Sequence, residues 1–195
     1  MKKLKHFITY YLFQWPRILI YRHILSDFKG LKQGRLSGVS QPLLLRGEGN
    51  LKISKNVKFG YKKSQAFYSG SSYIEVRTPQ GYINIGPDVH FNNSCTLISV
   101  RDGIEIGKNC VFGVGCTIID NDFHAIHNQE KTKGAPVKIG NNVFVGSNVH
   151  ILKGVEIADN CTIGMGAIVA RSFKTACVIA GNPAQKVRDI ETDND

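Results

Sequence analysis

Four titratable side chains fall within eight residues of this chain, in the segment Asp120-Asn121-Asp122-Phe123-His124-Ala125-Ile126-His127. A histidine can take a proton from an attacking hydroxyl because its pKa lies near working pH. A carboxylate accepting from the other ring nitrogen would fix the tautomer and support the imidazolium that forms. Asp122 and Asp120 are the candidates, Asp122 the better of the two, although both also suit turns. A histidine taken alone is more often structural than catalytic. What singles out His124 is the place of its segment in the chain.

The segment interrupts a repeat. An aliphatic or aromatic residue followed by a small one returns every six positions: Ile106-Gly107, Phe112-Gly113 and Ile118, then Ile139-Gly140, Val145-Gly146, Ile151, Ile157-Ala158, Ile163-Gly164 and Val169-Ala170. Three such units make an 18-residue coil, the signature of a parallel β-helix. The first residue of each unit points inward, and Gly or Ala follows where the chain is expected to bend tightly. Cys110, Cys116, Val143, Val149, Val155, Cys161 and Ala167 form a second inward series of small residues. The step from Ile106 to Ile139 is 33 residues, so the loop near 120–135 adds 15 to one coil. An earlier coil runs through Ile85, Phe91 and Leu97, with Val89 and Cys95 inside, and Ile53, Val57 and Phe59 belong to one still earlier. About three extra residues sit near Val100-Arg101-Asp102, and no coil is legible between Ser64 and Tyr82. The expected fold is all-β, a parallel β-helix over 51–190 with its loop at 120–135. An N-terminal basic segment and connector at 1–50 and a polar tail at 191–195 flank it.

The net charge of +10 is unevenly placed: residues 1–63 carry +12 and the rest −2. No recognised nucleic-acid module accompanies the charge, so nucleic-acid binding is not expected. Leu4, Phe7, Ile8, Tyr11, Leu12 and Trp15 recur at helical spacing among Lys2, Lys3, Lys5, Arg17 and Arg22. Pro16 should kink or end that helix. The stretch is too interrupted to cross a membrane and lacks a signal-peptide cleavage site. Two readings stand: an amphipathic helix on the anionic inner face of a membrane through residues 1–25, or a helix docked on the β-helix or on a neighbouring subunit. Four of the five cysteines fall at the small inward position, so they are read as core, with Cys177 unassigned; free thiols point to a reducing cytoplasm.

The run Val137-Lys-Ile-Gly-Asn-Asn-Val-Phe-Val-Gly-Ser147, with Ile163-Gly-Met-Gly-Ala-Ile-Val169 and the closing Ala180-Gly-Asn-Pro-Ala184, resembles the hexapeptide-repeat acetyltransferases. That group includes galactoside, maltose and serine acetyltransferases and polysaccharide O-acetyltransferases, and the resemblance covers roughly 83–190. It implies a left-handed β-helix, a homotrimer with active sites between subunits, acetyl-CoA as donor, direct transfer without a metal, and a sugar hydroxyl of a surface polysaccharide or its precursor as acceptor. His124-Ala-Ile-His127 resembles the His-Pro-Val-His stretch whose first His is the base; Ala125 departs from the usual Pro. His127 is read as supporting or solvent-facing. Asn92 matches a substrate-contacting Asn. Ser147 matches a CoA-contacting Ser whose N–H can serve the thioester oxygen, and Met165 stands where Ala is usual. Ala170 and Arg171 match a Thr-Lys pair, Arg188 matches a phosphate-binding Arg with Lys186 close to another, and Gln185 replaces an expected Arg. His90 and His150 default to the surface.

Three rivals differ in testable ways. N-acetylation of an amino sugar uses the same base. A metal-binding β-helix of the γ-carbonic anhydrase type spaces its two loop histidines by five, against three here. A non-catalytic scaffold would not be expected to keep the His124 segment and the CoA-side residues.

Overall fold

The computed structural model describes residues 8–34, 36, 38–125 and 132–190. The chain winds through three sheets of six, eight and six strands. The first sheet contains Lys32–Gln33, Asn50–Ile53, Tyr82–Ile85, Ile104–Ile106, Val137–Ile139 and Glu156–Ile157. Gly38–Val39, Lys58–Phe59, His90–Phe91, Val111–Phe112, Phe144–Val145 and Thr162–Ile163 belong to the second. The third takes Leu43–Gly47, Ser72–Val76, Thr96–Ser99, Thr117–Ile119, His150–Ile151 and Ile168–Val169. Successive coils pair in parallel, residue over residue, as in Ile85↔Ile106↔Ile139↔Ile157. Six coils therefore stack as a triangular prism.

Two differences from the sequence reading concern where the prism begins. Lys32–Gln33, Gly38–Val39 and Leu43–Gly47, in a stretch expected to be connector, supply the three strands of a first coil, and Ser72–Val76 is a full strand where no coil was legible. The six-residue spacing fails there because residues 60–71 form a loop on the second coil.

The inward residues make one continuous core. Phe59, Phe91 and Phe112 stack with ring centroids 4.9 and 4.7 Å apart, and Cys95, Cys110, Cys116, Cys161 and Cys177 are all buried. Cys177 thus joins the other four as core. From the third coil on, the tight bends do not fall on the glycines that follow the inward residue, such as Gly107 and Gly140. Positive φ occurs one position before the small inward residue instead, at Asn56, Asp88, Asn109, Asn142 and Asn160. Asn tolerates this region by bonding locally, and here the side chains also form a ladder: Asn109 donates to Asn142 at 3.1 Å and Asn142 to Asn160 at 3.0 Å. The glycines answer to close approach: a Cβ at Gly107 would lie 2.5 Å from the Gly140 carbonyl oxygen.

At the N-terminus a helix runs from Tyr10 to Leu25, with π turns at Tyr10–Gln14 and Tyr21–Leu25 around an α segment Trp15–Ile20. Pro16 neither ends it nor interrupts it at mid-segment. It takes the first turn of the α segment, where a missing N–H costs least, after a π turn in which Trp15 N–H donates to Tyr10 O. One face is docked: buried Gln14 donates to the carbonyls of Ser40 and Phe67 at 3.1 and 2.8 Å, and Arg17 bonds those of Tyr68 and Gly70. The opposite face is exposed and apolar. No helix among the described residues is long and apolar enough to cross a membrane.

Candidate functional site

The loop that breaks the repeat leaves the third sheet after Ile119 and returns to the first at Val137, so it stands on the corner between them. Its root is a two-stranded tie: Asn121 bridges Gly134, Asp122 N–H donates to Lys133 O, and Ala135 N–H donates to Asp120 O at 2.9 Å. A Cβ at Gly134 would collide with the Asp102 carboxylate oxygen, so any larger residue would have to displace that side chain. Lys153, from the corner one coil further on, bonds both the Asp122 carboxylate and Lys133 O.

Asp120 is fully buried and accepts four hydrogen bonds: from Ser99 Oγ at 2.8 Å, and from the N–H groups of Val100 at 2.8, Asp102 at 3.0 and Gly103 at 2.7 Å. The extra residues near 100–102 are therefore folded around this carboxylate. Asp122 is engaged by Lys153 and reaches His124 through its backbone, its carbonyl accepting from His124 N–H at 2.7 Å. That bond closes a three-residue turn centred on Phe123, whose φ is +64°. A bulky side chain there is strained by about 1–3 kcal/mol. Asn121 Oδ1 accepting from Phe123 N–H, and the Arg77 guanidinium 5.0 Å from the Phe123 ring, hold it in place. His124 is thus presented, exposed, at the end of a braced loop; His127 lies outside the described residues.

Arg77 ties this loop to the outer face of the third sheet. It bonds Glu75 through two nitrogens at 2.7 and 3.1 Å, and Tyr73 donates to the same carboxylate at 2.9 Å. The Arg77 bond, with a smaller part from Tyr73, holds the Glu75 carboxyl below its ordinary range. Burial first, and then the bond to Glu75, push Tyr73 up to about 12.

Asn92, Ser147 and Met165 share a different corner, between the second and third sheets, in coils three, five and six. Asn92 donates to Ser64 Oγ at 3.0 Å and borders a groove of about 410 Å³ lined by Lys58, Tyr61, His90 and Phe112. Burial lowers the pKa of His90, and the Lys58 charge adds to it. Ser147 Oγ accepts from Val114 N–H at 3.2 Å, its carbonyl accepts from Gly166 N–H, and Met165 is 75% exposed. Towards the C-terminus, Ala170 and Arg171 are exposed, with the Arg171 guanidinium over Phe173. Lys186 bonds Asp189 at 2.9 Å, and Arg188 contacts the Asp189 carbonyl. Within the chain, then, His124 and the trio Asn92, Ser147 and Met165 stand on separate corners of the prism. Among the described residues no cluster of three His, Cys, Asp or Glu side chains is arranged to hold a metal ion.

Lys153, Arg77, Glu75 and Tyr73 escaped the sequence reading. Lys153 carries a signal in hindsight: it falls 18 residues, one coil, after Ala135 at the loop's end. Arg77 and its partners lie in the stretch where no coil could be placed.

Comparison with known proteins fits this geometry. The family described as bacterial transferase hexapeptide (six repeats) matches residues 136–171, and the hexapeptide repeat of succinyl-transferase matches 93–119. Galactoside O-acetyltransferase of Escherichia coli (strain K12) is 34% identical over 171 residues, covering 83% of this chain and 82% of that one. Among solved structures, a galactoside acetyltransferase in complex with coenzyme A superposes with a TM-score of 0.53 at 25% identity, over 76% of this chain and 66% of that one. A polysialic acid O-acetyltransferase shares the fold, with a TM-score of 0.59 at 22% identity over 86% and 93% of the two chains. The prism is a left-handed parallel β-helix. The chain belongs to the hexapeptide-repeat acetyltransferase family and is an acyltransferase.

Proposed function

We propose that the protein transfers an acetyl group from acetyl-CoA to a saccharide hydroxyl, with His124 as the general base. The observation that carries this reading is the braced loop, which spends backbone strain at Phe123 and a lysine from the next coil to present one exposed histidine. The His124 imidazole takes the acceptor's hydroxyl proton as its oxygen attacks the thioester carbonyl. The tetrahedral intermediate then collapses, the C–S bond breaks, and the thiolate of CoA takes the proton back from the imidazolium. The products are an acetyl ester and CoA thiol. Ser147 N–H, which has no protein acceptor among the described residues, would donate to the oxyanion. Asp122 positions the base through its carbonyl and the Lys153 pair. Asn92 would bind the acceptor, and Met165, Ala170, Arg171, Lys186 and Arg188 would line the path of CoA, the cations serving its phosphates.

A homotrimer with the site between subunits suits the separation of corners, since one chain's His124 then meets the Asn92–Ser147–Met165 corner of its neighbour. Val111 and Phe144, paired side by side and 41% and 52% exposed on the second sheet, offer apolar contact area for such a neighbour. A surface polysaccharide or its precursor is the acceptor that this reading favours, by analogy with polysaccharide-modifying relatives.

The test is release of CoA thiol from acetyl-CoA across a panel of sugars, nucleotide sugars and amino sugars, with wild type and His124→Ala in parallel. The variant should lose roughly 10²-fold or more. Full activity in the variant would remove His124 from the mechanism. Should the wild type release CoA with no acceptor, calorimetry with acetyl-CoA follows, and absence of binding would overturn the proposal.

A further inference from the structure

The docked helix encloses, against the first coil, a pocket of about 490 Å³, within the range of small-molecule sites. Trp15, Phe28, Leu36 and Val39 supply apolar walls, while Arg22 and Lys32 bring two positive charges to the same pocket. Neither cation has a carboxylate partner among the described residues. Burial, and then the charge of Arg22, lower the pKa of Lys32, so the pair is held together at a cost that an anion between them would relieve.

Beside the pocket the helix turns an uncovered apolar face outward. Leu12, Phe13 and Ile24 are 75%, 56% and 73% exposed, and Leu31 of the following segment 61%. Trp15, 47% exposed, belongs both to this face and to the pocket wall. An apolar face flanked by unpaired cations, in the region of the chain that carries +12, is complementary to an anionic bilayer surface rather than to water.

We propose that the pocket binds one anionic phospholipid of a bilayer, its phosphate between Arg22 and Lys32 and part of an acyl chain against Trp15, Phe28 and Leu36, while the exposed helix face lies in the membrane interface. Nothing in this depends on the chemistry at His124. The arrangement holds the prism by its N-terminal end, three coils from the loop.

Flotation of the full chain with vesicles of phosphatidylcholine, with or without phosphatidylglycerol, tests the proposal. Binding should require phosphatidylglycerol and fall about 30-fold in Arg22→Gln/Lys32→Gln, from the loss of two charges at the surface. Lys55→Gln/Lys63→Gln, which removes the same charge from exposed sites away from the pocket, should fall clearly less. Leu36→Trp, which fills the pocket, should also lose binding while melting within a few degrees of wild type. If the pocket variants bind like the Lys55/Lys63 control, the pocket takes no lipid and the assignment fails. Equal binding to both vesicle types, or binding to neither, overturns it as well. So does a Leu12→Ser/Phe13→Ser variant that changes the sedimenting mass without changing vesicle binding, since the face would then lie between copies of the chain.

Discussion

Asp120→Asn separates two roles that a carboxylate beside a catalytic loop can play. In the structure this side chain accepts four hydrogen bonds, three of them at Oδ2 and one, from Val100 N–H, at Oδ1. An asparagine can keep its oxygen where three donors converge, but its amide nitrogen then faces the N–H of Val100. One buried donor left unsatisfied costs about 1–3 kcal/mol. The three surviving bonds change from charge-assisted to neutral, and a net loss of about 3 kcal/mol overall is a reasonable sum once non-additivity is allowed for. For a chain of this length that corresponds to a fall of about 6–12 °C in melting temperature. Circular dichroism melts of wild type and variant measure it, with kcat/KM taken well below the variant's transition. The reasoning predicts a large stability loss and a modest kinetic one. A melting temperature within about 2 °C of wild type, together with a 10²-fold loss in kcat/KM, would refute it and would mean that Asp120 acts on His124 directly.

Lys153→Met removes an ion pair whose side chains are 28% and 31% exposed, so stability should change by about 1 kcal/mol. Activity should fall about tenfold because the loop root is untied, and a variant with unchanged kcat/KM would show that the tie is dispensable. At Phe123 the positive φ makes glycine the better small residue: Phe123→Gly should be more stable than Phe123→Ala by about 1 kcal/mol in denaturant melts, and the reverse order would deny the strained turn. Glu75 has a depressed carboxyl pKa, so the stability it contributes is present above the ordinary carboxylate range and is lost as pH falls through the lowered value. Glu75→Gln should therefore melt below wild type near neutrality and converge with it under acid; a gap that stays constant with pH would rule out the ionised Glu75 as its source.

Much of this architecture could be read from residues alone, and the limits have physical causes. From Ile85 to Val169 each inward residue stacks on its equivalent in the next coil, and the stacking imposes the six-residue spacing on the sequence. The first coil and Ser72–Val76 obey the same stacking, but the loop at 60–71 and irregular corners remove the spacing that would betray them. His124 was visible because its loop is the one break in the regular series from Ile106 to Val169. Lys153 and Arg77 were not, since each is an ordinary surface cation until coiling brings it to the loop. The glycines illustrate a subtler failure: they were read as bends, whereas they mark where one coil's backbone leaves the next no room for a Cβ. Both demands select the same residue, so sequence alone cannot distinguish them.

The two ends of the prism bear on solubility. Every parallel coil leaves a row of unpaired backbone N–H and C=O groups for the next, so a stack with bare ends would invite other chains to extend it. Here the last strands break the pattern: Cys177–Gly181 continues the second sheet in parallel, but Ala184–Asp189 folds back antiparallel on it. That final edge carries Lys186, Arg188 and Asp189, side chains that discourage edge-to-edge pairing. At the other end the N-terminal helix lies over the first coil. A fold built from repetition thus carries its own terminators, which lets it remain a molecule of fixed length rather than the seed of a fibre.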